Sequence, residues 1–310
     1  MIEAKRFDQE RSCSRRGRYM YFFFQIGSSG IATGAVYGLI AVGYSLTFIT
    51  TKVLNFALGM WVMLGGMLTY SLQVQYGVHP LIILLLVPCL LFALGLVAER
   101  FTVLPFLRAG SDVWVLSTLA VGLLFIDLAE LIWGRSPTPV PSYFGSTPLM
   151  IGQVAILPQQ VLIIATAIVI FVALDLFYRR TLLGKAFRAV AHSPDVSGLM
   201  GINTRLVQAG SYAAAAALAG IAGVMVVPLT LAEPQLGTVL GLKAFAIAII
   251  AGLAAPRGIL ICGLVYGAFE GLVSGYFYTG IRDILGFSLM ILALYLKPEG
   301  LFGTRQEERA

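Results

Sequence analysis

The chain consists largely of apolar runs that are too long and too numerous to form the core of a water-soluble domain. Such runs recur between Tyr21 and Leu296 with only short polar interruptions, and about 20 apolar residues cross a hydrocarbon layer roughly 30 Å thick as a helix. Of the 310 residues, 58% are hydrophobic and 12% are charged. The sequence therefore predicts an all-α fold, a polytopic transmembrane helix bundle of roughly 8–10 membrane segments that include broken or half-length helices.

The individual segments follow from hydropathy and from the positions of glycine, proline and charged residues. They span residues 21–51, 56–74, 81–98, 113–133, 161–177, 207–228, 243–253, 259–278 and 284–296. Trp114 and Trp133 flank the fourth segment, as aromatic residues do at the two membrane surfaces. The first segment is long for one span and short for two, and the small residues from Gly27 to Gly30 predict a break within it.

Basic residues predict the orientation. The net charge is +6, and basic residues are concentrated in the first part of the chain at Lys5, Arg6, Arg11, Arg15, Arg16 and Arg18. Because Lys and Arg are retained on the cytoplasmic side, we predict a cytoplasmic tail at 1–20, a membrane domain at 21–297 with a cytoplasmic loop at 178–206, and a cytoplasmic tail at 298–310. Both the first tail and the loop lie inside only if the first segment crosses and partly returns, which gives about ten segments.

Two other classes of function are not supported. The basic tail has no interleaved aromatic residues, so it indicates an anchor on membrane lipid and predicts no nucleic-acid partner. Cys13, Cys89 and Cys262 form no Cys-x-x-Cys pair, so neither a disulfide framework nor a metal site is predicted.

Small residues recur every four positions within several segments. Three such series stand out: Gly30, Gly34 and Gly38; Ala215, Ala219 and Gly223; and Gly263, Gly267, Gly271 and Gly275. Lipid gives helices no hydrophobic reason to associate, so close approach of backbones at small residues holds a membrane bundle together. These faces are predicted to pack helices tightly, and some of them are also candidates for lining a route through the bundle.

Carboxylates within apolar segments are costly, about 2.5–3.5 kcal/mol at the membrane centre, and they often mark functional positions. Asp127 and Glu130 share one helix face but lie close to Trp133, which favours a solvated outer helix end. Glu270 falls near the middle of its segment, beside the glycine face. It is a candidate for the translocation pathway or for a structural polar contact.

A discontinuity is predicted between the first two segments, bordered by Asn55 and Gly59. A broken helix exposes backbone N–H and C=O groups that can bind a zwitterion without any side-chain charge. Lys243 opens the half-length seventh segment. It is either a pathway residue or a lysine that extends its amino group to the membrane surface.

The largest polar stretch, 178–206, contains the signals of a short helix. Ser193 is a suitable N-cap, Pro194 a suitable first helical residue, Asp195 complements the helix dipole and Gly201 suits the end. A short amphipathic helix on a cytoplasmic loop is either a docking element for another protein or an interfacial helix on anionic lipid, and composition favours neither.

Four groups of residues resemble one membrane protein family, in the family's order from about residue 30 to 303. The loop carries Arg188-Ala189-Val190-Ala191 and Pro194 to Asn203, followed by small residues from Ala213 to Gly223. The other groups are residues 38–44, 54–59 and 65–66; residues 243–245, 251–252, 256–258, 263 and 270; and residues 297–303. Together they resemble permease subunits of ATP-binding-cassette importers of the branched-chain amino acid type.

The resemblance implies that the loop helix sits in a cleft on an ATPase and transmits its closure to the spans. The coupling residues would be Arg188, Ser193, Pro194, Asp195, Gly198, Leu199, Met200 and Gly201. The implied partners are two ATPase subunits, a second permease subunit of the same or another kind, and a periplasmic solute-binding protein, at the inner membrane.

The chain itself lacks the motif of an ATPase. No Gly-x-x-x-x-Gly-Lys-Ser/Thr occurs, since Gly184-Lys185 is followed by Ala186. ATP is therefore expected to be hydrolysed by the partner subunits, and no cofactor of this chain is predicted.

Two departures from the family pattern remove polar or small groups. Leu58 and Met60 stand where the family usually has His and Glu, and Ala251 and Ala254 stand where it commonly has glycine. The predicted solute is accordingly a branched-chain amino acid or a related amide or other small polar molecule.

Two other hypotheses were weighed. A secondary transporter driven by an ion gradient needs several carboxylates or hydroxyls near the midplane, and Glu270 alone is a candidate there. An intramembrane enzyme needs converging catalytic or metal-binding groups, but His79 and His192 fall in opposite loops of the predicted topology.

Overall fold

The computed structural model describes residues 2–105, 113–145, 147–151, 154–277, 280–297 and 300–303, except for the side chains of 2–22, 24, 151 and 154. The described helices are α1 Ile2–Thr51, α2 Leu58–Tyr70 with a π-helical extension Ser71–Gln75, α3 Pro80–Thr102, α4 Trp114–Trp133, α5 Pro158–Arg180, α6 Leu182–His192, α7 Pro194–Leu199, α8 Thr204–Val226, α9 Leu236–Ala251, α10 Pro256–Tyr276 and α11 Ile281–Leu296. A small antiparallel hairpin joins β1 Leu149–Ile151 to β2 Val154–Ile156, with Leu149 opposite Ile156.

The helices form one bundle in which α1 and α8 are central. Six helical stretches in the described residues are long and apolar enough to cross a membrane, those of α1, α3, α4, α5, α8 and α10. Shorter apolar helices α2, α9 and α11 accompany them. Most of the spanning part of α1 and α8 is buried inside the bundle, whereas α3, α4 and α5 expose most of theirs to the surroundings. The all-α, polytopic fold predicted from the sequence is confirmed.

The predicted break in the first segment is wrong, because α1 runs without interruption from Ile2 to Thr51. The small residues do not open the helix. The Ser28 hydroxyl donates back to the Gln25 carbonyl at 2.8 Å, and Gly30 lies against the backbone of Gly267. They therefore satisfy their polar groups within the helix and serve helix contact.

A continuous α1 bears on one step of the predicted topology, the partial return of the first segment. One crossing places the two ends of its spanning part, Gln25–Thr51, at opposite faces of the bundle. Thr50 lines a cavity together with Phe187 and Arg188 of the loop 178–206, so this loop lies at the face where α1 ends. The partial return of the first segment therefore does not occur, and the sides on which the tail 1–20 and the loop 178–206 lie stay predictions.

The central helices belong to two triplets that run in opposite directions. α1 packs along α10, and α8 packs along α3 in the same antiparallel manner. Gly34 contacts Gly263 and Gly267 in the first pair, and Gly95 contacts Ala213 in the second. α1–α2–α3 and α8–α9–α10 thus form an inverted repeat, an arrangement common among membrane transporters.

The middle members of the two triplets cross each other inside the bundle. Gly59 of α2 lies against the backbones of Gly237 and Gly241 of α9. The Tyr44 hydroxyl of α1 donates to the Gly241 carbonyl at 3.4 Å beside this crossing. Because a Cβ at any of the three glycines would overlap backbone atoms, the crossing depends on the absence of side chains.

The seventh predicted segment is longer than expected. α9 spans Leu236–Ala251 rather than 243–253, so Lys243 lies near its middle instead of opening it. The polar Thr238 and the charge of Lys243 lower the hydropathy of its first half, although Lys243 itself is buried in protein. The chain after α11 returns to the end of α9, where the Leu301 N–H donates to the Ile250 carbonyl at 2.7 Å.

Replacing Gly34 by valine is expected to destabilise the bundle. The added Cβ would lie 2.5 Å from the Gly263 carbonyl oxygen and 3.1 Å from Gly267 Cα, and overpacking of this kind costs about 1–3 kcal/mol. The fraction of detergent-solubilised protein that remains monodisperse over a series of temperatures measures the effect. Gly27→Val is the matched control, because a Cβ there meets no atom within 4 Å. Equal losses in the two variants would contradict the packing role of Gly34.

Candidate coupling loop and translocation site

The loop 178–206 contains the two helices α6 and α7. They form a helical hairpin whose base is the end of α5. Thr181 ends α5 and begins α6, because its hydroxyl accepts from the Gly184 N–H at 2.9 Å and donates to the Phe177 carbonyl at 2.7 Å. Gly184 lies directly against the backbone of Phe177 and Tyr178, so α6 can fold back sharply onto the end of α5. The sequence interpretation missed α6, although Thr181 followed by Leu182, Leu183, Phe187 and Val190 carries the signal of a capped amphipathic helix.

The end of α5, at the base of the helical hairpin, is joined to α10 by ion pairs. Asp175 of α5 pairs with Arg257 at 2.7 Å and with Arg179 at 3.1 Å. Arg257 belongs to the Pro256-Arg257-Gly258 turn at the start of α10, and Phe302 packs onto Gly258. The loop, the start of α10 and the segment 300–303 therefore meet at one face of the bundle.

The short helix α7 occupies the stretch predicted from the sequence. Ser193 caps it by accepting from the Val196 N–H at 3.4 Å, Pro194 is its first residue and Asp195 lies in its first turn. Gly201 follows with a φ of 83°, a left-handed conformation that suits glycine.

The tip of this hairpin is apolar and exposed. Leu199 and Met200 are 89% and 79% exposed, and no atom approaches the Cβ position of Gly198 within 4 Å. Arg188 lines the cavity at the base of the hairpin. A cluster of exposed apolar side chains between polar residues is typical of a surface that binds another protein.

The hairpin continues directly into a central helix. Asn203 caps α8 by accepting from the Leu206 N–H at 3.2 Å. One turn farther, the Gln208 side chain donates to the Thr50 carbonyl at the end of α1 at 3.4 Å. Only the four residues from Met200 to Asn203 separate α7 from α8.

Residues 52–57 form the interruption predicted between the first two segments. Lys52 has a φ of 57°, and Leu58 already packs against Gly43, two turns back along α1. Asn55 is buried, and its Oδ1 accepts from the Ala57 N–H at 3.1 Å. The chain thus turns back into the bundle as non-helical backbone enclosed by protein, which membranes tolerate only inside a protein or along a water-filled route.

Tyr212 of α8 links this interruption to the helices around it. Its hydroxyl lies among the side chains of Asn55, Trp61 and Thr102, and the ring is almost wholly buried. Among the described residues, the Tyr212 hydroxyl, Asn55 Nδ2 and Trp61 Nε1 are buried without a hydrogen bond of good geometry. Such a loosely satisfied cluster marks a place where contacts can be exchanged. Sequence analysis missed Tyr212 because its partners are distant in the chain.

The four residues that depart from the family pattern lie at the start of α2 and at the end of α9. Leu58 packs against Gly43 and Met60 against Gly122 of α4. Ala251 ends α9, where its carbonyl accepts from the Phe302 N–H at 3.0 Å. Ala254 lines the cavity at the loop face.

Lys243 and Glu270 lie together in a buried ion cluster. The Lys243 ammonium contacts Glu270 Oε1 and lies 2.8 Å from Asp283 Oδ1, and both lysine and glutamate are at most 4% exposed. Arg282 Nε is 3.1 Å from Glu270 Oε1. Lys243 therefore does not extend to the membrane surface, and the structural polar contact weighed for Glu270 is present.

The cluster has two cations and two anions, and Tyr37 covers one side of it. The Lys243 ammonium is 5.9 Å from the centre of the Tyr37 ring. Arg282 and Asp283 went unrecognised because they fall in or beside the gap between two predicted segments, where charges are ordinary.

The remaining candidates lie apart from these sites. Glu130 pairs with Arg135 at 2.6 Å at the end of α4, and His79 caps α3 by accepting from the Leu81 N–H. His192 ends α6 near the loop face, far from His79. In the part of the chain that the structure describes, no group of three His, Cys, Asp or Glu residues could hold a metal ion.

Outside the spans, Tyr143 helps to fix the opposite face of the bundle. Its hydroxyl donates to the Val224 carbonyl at 2.7 Å, and burial raises the pKa of the phenol above its usual value. The Thr138 N–H donates to the Ala232 carbonyl at 3.0 Å in the same region. The loop after α4 is thus joined to the connection between α8 and α9.

Comparison with known proteins points to one family. Residues 27–294 match the family described as branched-chain amino acid transport system / permease component. The LivH permease protein of the high-affinity branched-chain amino acid transport system of Salmonella typhimurium is 27% identical over 305 residues, which cover 94% of this chain and 99% of that protein. LivH of Escherichia coli K12 is 28% identical over 306 residues, with the same coverage.

A third relative has a different name and the same description. BraD of Pseudomonas aeruginosa, also a high-affinity branched-chain amino acid transport system permease protein, is 28% identical over 305 residues that cover 94% of this chain and 99% of BraD. These matches and the transmembrane bundle agree with the resemblance noted in the sequence, and the chain belongs to the family of permease components of branched-chain amino acid transport systems.

Proposed function

We propose that this chain is a membrane-embedded subunit of an ATP-binding-cassette importer that moves a branched-chain amino acid, or a related small polar solute, into the cytoplasm. The observation that carries the proposal is the exposed apolar tip at Leu199 and Met200, joined through α8 to the interrupted segment 52–57. Relatives named for branched-chain amino acid transport support the solute class.

The proposed assembly contains two ATPase subunits, a second permease subunit and a periplasmic solute-binding protein. The tip would enter a cleft on an ATPase, which hydrolyses the ATP, while this chain supplies no nucleotide site and binds no cofactor. The loop face carries Arg179, Arg180, Lys185, Arg188 and Arg205, which favours the cytoplasmic side of an inner membrane. The tail 298–310 would lie on that side, and the tail 1–20 would lie on the other.

In the proposed mechanism, closure of the ATPases moves α6 and α7 as a rigid body. α8 moves with them because Asn203 and Gln208 connect its first turns to the loop and to α1. Tyr212 then shifts against Asn55 and Trp61, which changes the shape of the interruption. An ion-gradient-driven transporter, the alternative, would leave the exposed tip without a partner.

Replacing Leu199 by glutamate is expected to abolish coupling, since a charge at the centre of an apolar contact weakens docking by at least ~1.4 kcal/mol, about tenfold. Uptake of leucine and ATP hydrolysis are measured in proteoliposomes that contain the whole assembly and the solute-binding protein. Leu199→Met is the matched control and should retain both activities. Full uptake by the Leu199→Glu variant would contradict the docking role of the tip.

Replacing Tyr212 by phenylalanine is expected to lower the number of solute molecules moved per ATP hydrolysed, because the ring remains while the hydroxyl leaves the Asn55 and Trp61 side chains. Folding stability should change little, because the Tyr212 hydroxyl is buried without a hydrogen bond of good geometry. Tyr76→Phe, at a 75% exposed position, is the control. An unchanged ratio in the Tyr212 variant would remove this residue from the transmission route.

A further inference from the structure

A polar groove lies between α1 and α10, at the end of the bundle opposite the coupling loop. It has a volume of about 230 Å³ and is lined by hydroxyl and glycine residues of both helices together with Glu270 and Arg282. Glu270 lies six residues before the end of α10 at Tyr276, a rise of about 9 Å. The groove is therefore near the outer mouth of the proposed importer.

The lining of the groove is unsuited to lipid. Ser29, Thr33 and Ser274 contribute hydroxyl groups, and Arg282 contributes a guanidinium group whose side chain is 36% exposed. Lipid chains offer such groups no hydrogen bonds, so charged residues at membrane depth usually face a protein or a water-filled cavity. The groove is suited to a polar occupant.

The ion cluster leaves one buried acceptor and one buried donor without a hydrogen bond beside this groove. Glu270 Oε1 is taken by Lys243 and Arg282. Glu270 Oε2 is buried, and although the Tyr37 side chain lies close to this carboxylate, Oε2 has no hydrogen bond of good geometry among the described residues. Arg282 Nε lies 3.1 Å from Glu270 Oε1 without the geometry of a hydrogen bond. An unpaired buried carboxylate oxygen is costly unless a donor reaches it.

We propose that this groove binds a zwitterionic amino acid and receives the solute on the outer side. The ligand's ammonium group donates to Glu270 Oε2, and its carboxylate accepts from the Arg282 guanidinium, which suits planar carboxylates. The four charged side chains Lys243, Arg282, Glu270 and Asp283 sum to zero, so a ligand of zero net charge adds no uncompensated charge to the site.

The size and shape of the groove fit a small aliphatic amino acid. Its volume equals roughly eight water molecules at ~30 Å³ each. Ile26 supplies an apolar wall beside the hydroxyl groups, where an aliphatic side chain can pack. The inference rests on the proposed function only in taking the ligand to be the transported solute.

Binding is tested on the purified chain in lipid nanodiscs, without ATPases or binding protein. Saturation-transfer NMR, which detects weak binding, is recorded with leucine, with 4-methylpentanoate as a carboxylate without an amine, and with isopentylamine as an amine without a carboxylate. Leucine should bind at least ~tenfold more tightly than either analogue. No leucine signal, or equal affinities for the three probes, would overturn the inference.

Arg282→Gln should weaken leucine binding at least ~tenfold, with partial recovery in Arg282→Lys. Arg135→Gln is the control, because Arg135 also pairs with a glutamate but lies at the end of α4, apart from the groove and the coupling loop. Because removal of Glu270 leaves Lys243 without its buried partner, Ser274→Val serves as a second variant that narrows the groove and keeps the ion cluster. Unchanged leucine affinity in both Arg282→Gln and Ser274→Val would overturn the site.

The same variants separate this inference from the proposed function. If the assembled importer takes up leucine and Arg282→Gln leaves its KM unchanged, the groove is not the receiving site and the proposed function stands. If the isolated chain binds leucine through Arg282 but the assembly carries none, the site stands and the proposed function fails.

Discussion

The structure depends on one constraint, that backbone polar groups cannot be left open to hydrocarbon. The interruption at 52–57 lacks helical hydrogen bonding where the chain turns from the loop face into the bundle, and protein buries Val53, Asn55 and Ala57 there. Glycine makes this possible. α1 approaches α10 at Gly34, and α2 approaches α9 at Gly59, at distances that leave no space for a Cβ. The contact at Gly59 directly follows the interruption, where Asn55 and Ala57 are buried almost completely.

Each half of the inverted repeat contains a short helix that follows a central helix. α2 follows a central helix that ends at the loop face, and α9 follows a central helix that ends at the opposite face. The first turns of α2 and α9 cross at Gly59 and Gly237. A shift of either helix therefore changes the position of the other. Bundles of this kind alternate their access by moving one repeat against the other around a fixed centre. The crossing of α2 and α9 is the centre that this geometry provides.

Local signals in the sequence predicted the features that depend on neighbouring residues. Ser193, Pro194 and Gly201 define a short helix regardless of the rest of the chain, and glycines spaced by four positions specify a close helix contact. The failures have a different origin. The charge of Lys243 lowers the local hydropathy, so the predicted segment is shorter than the helix. In the structure that charge is neutralised by Glu270 and Asp283, which are remote in sequence. The glycines and serines at 27–30 predict a break only while the packing of Gly30 against α10 is unknown.

Buried ion pairs contribute little net stability, because desolvation offsets most of their attraction. Four charges at Lys243, Glu270, Arg282 and Asp283 are therefore poorly explained as a device for holding α9, α10 and α11 together, which apolar side chains would do as well. They do fix Lys243 of α9 to the wall of the outer groove. α9 also crosses α2, and Tyr212 connects the other side of α2 to the helix that leaves the coupling loop. A continuous series of packed contacts thus joins the groove beside Glu270 to the exposed tip of the loop 178–206, and it passes through the α2–α9 crossing.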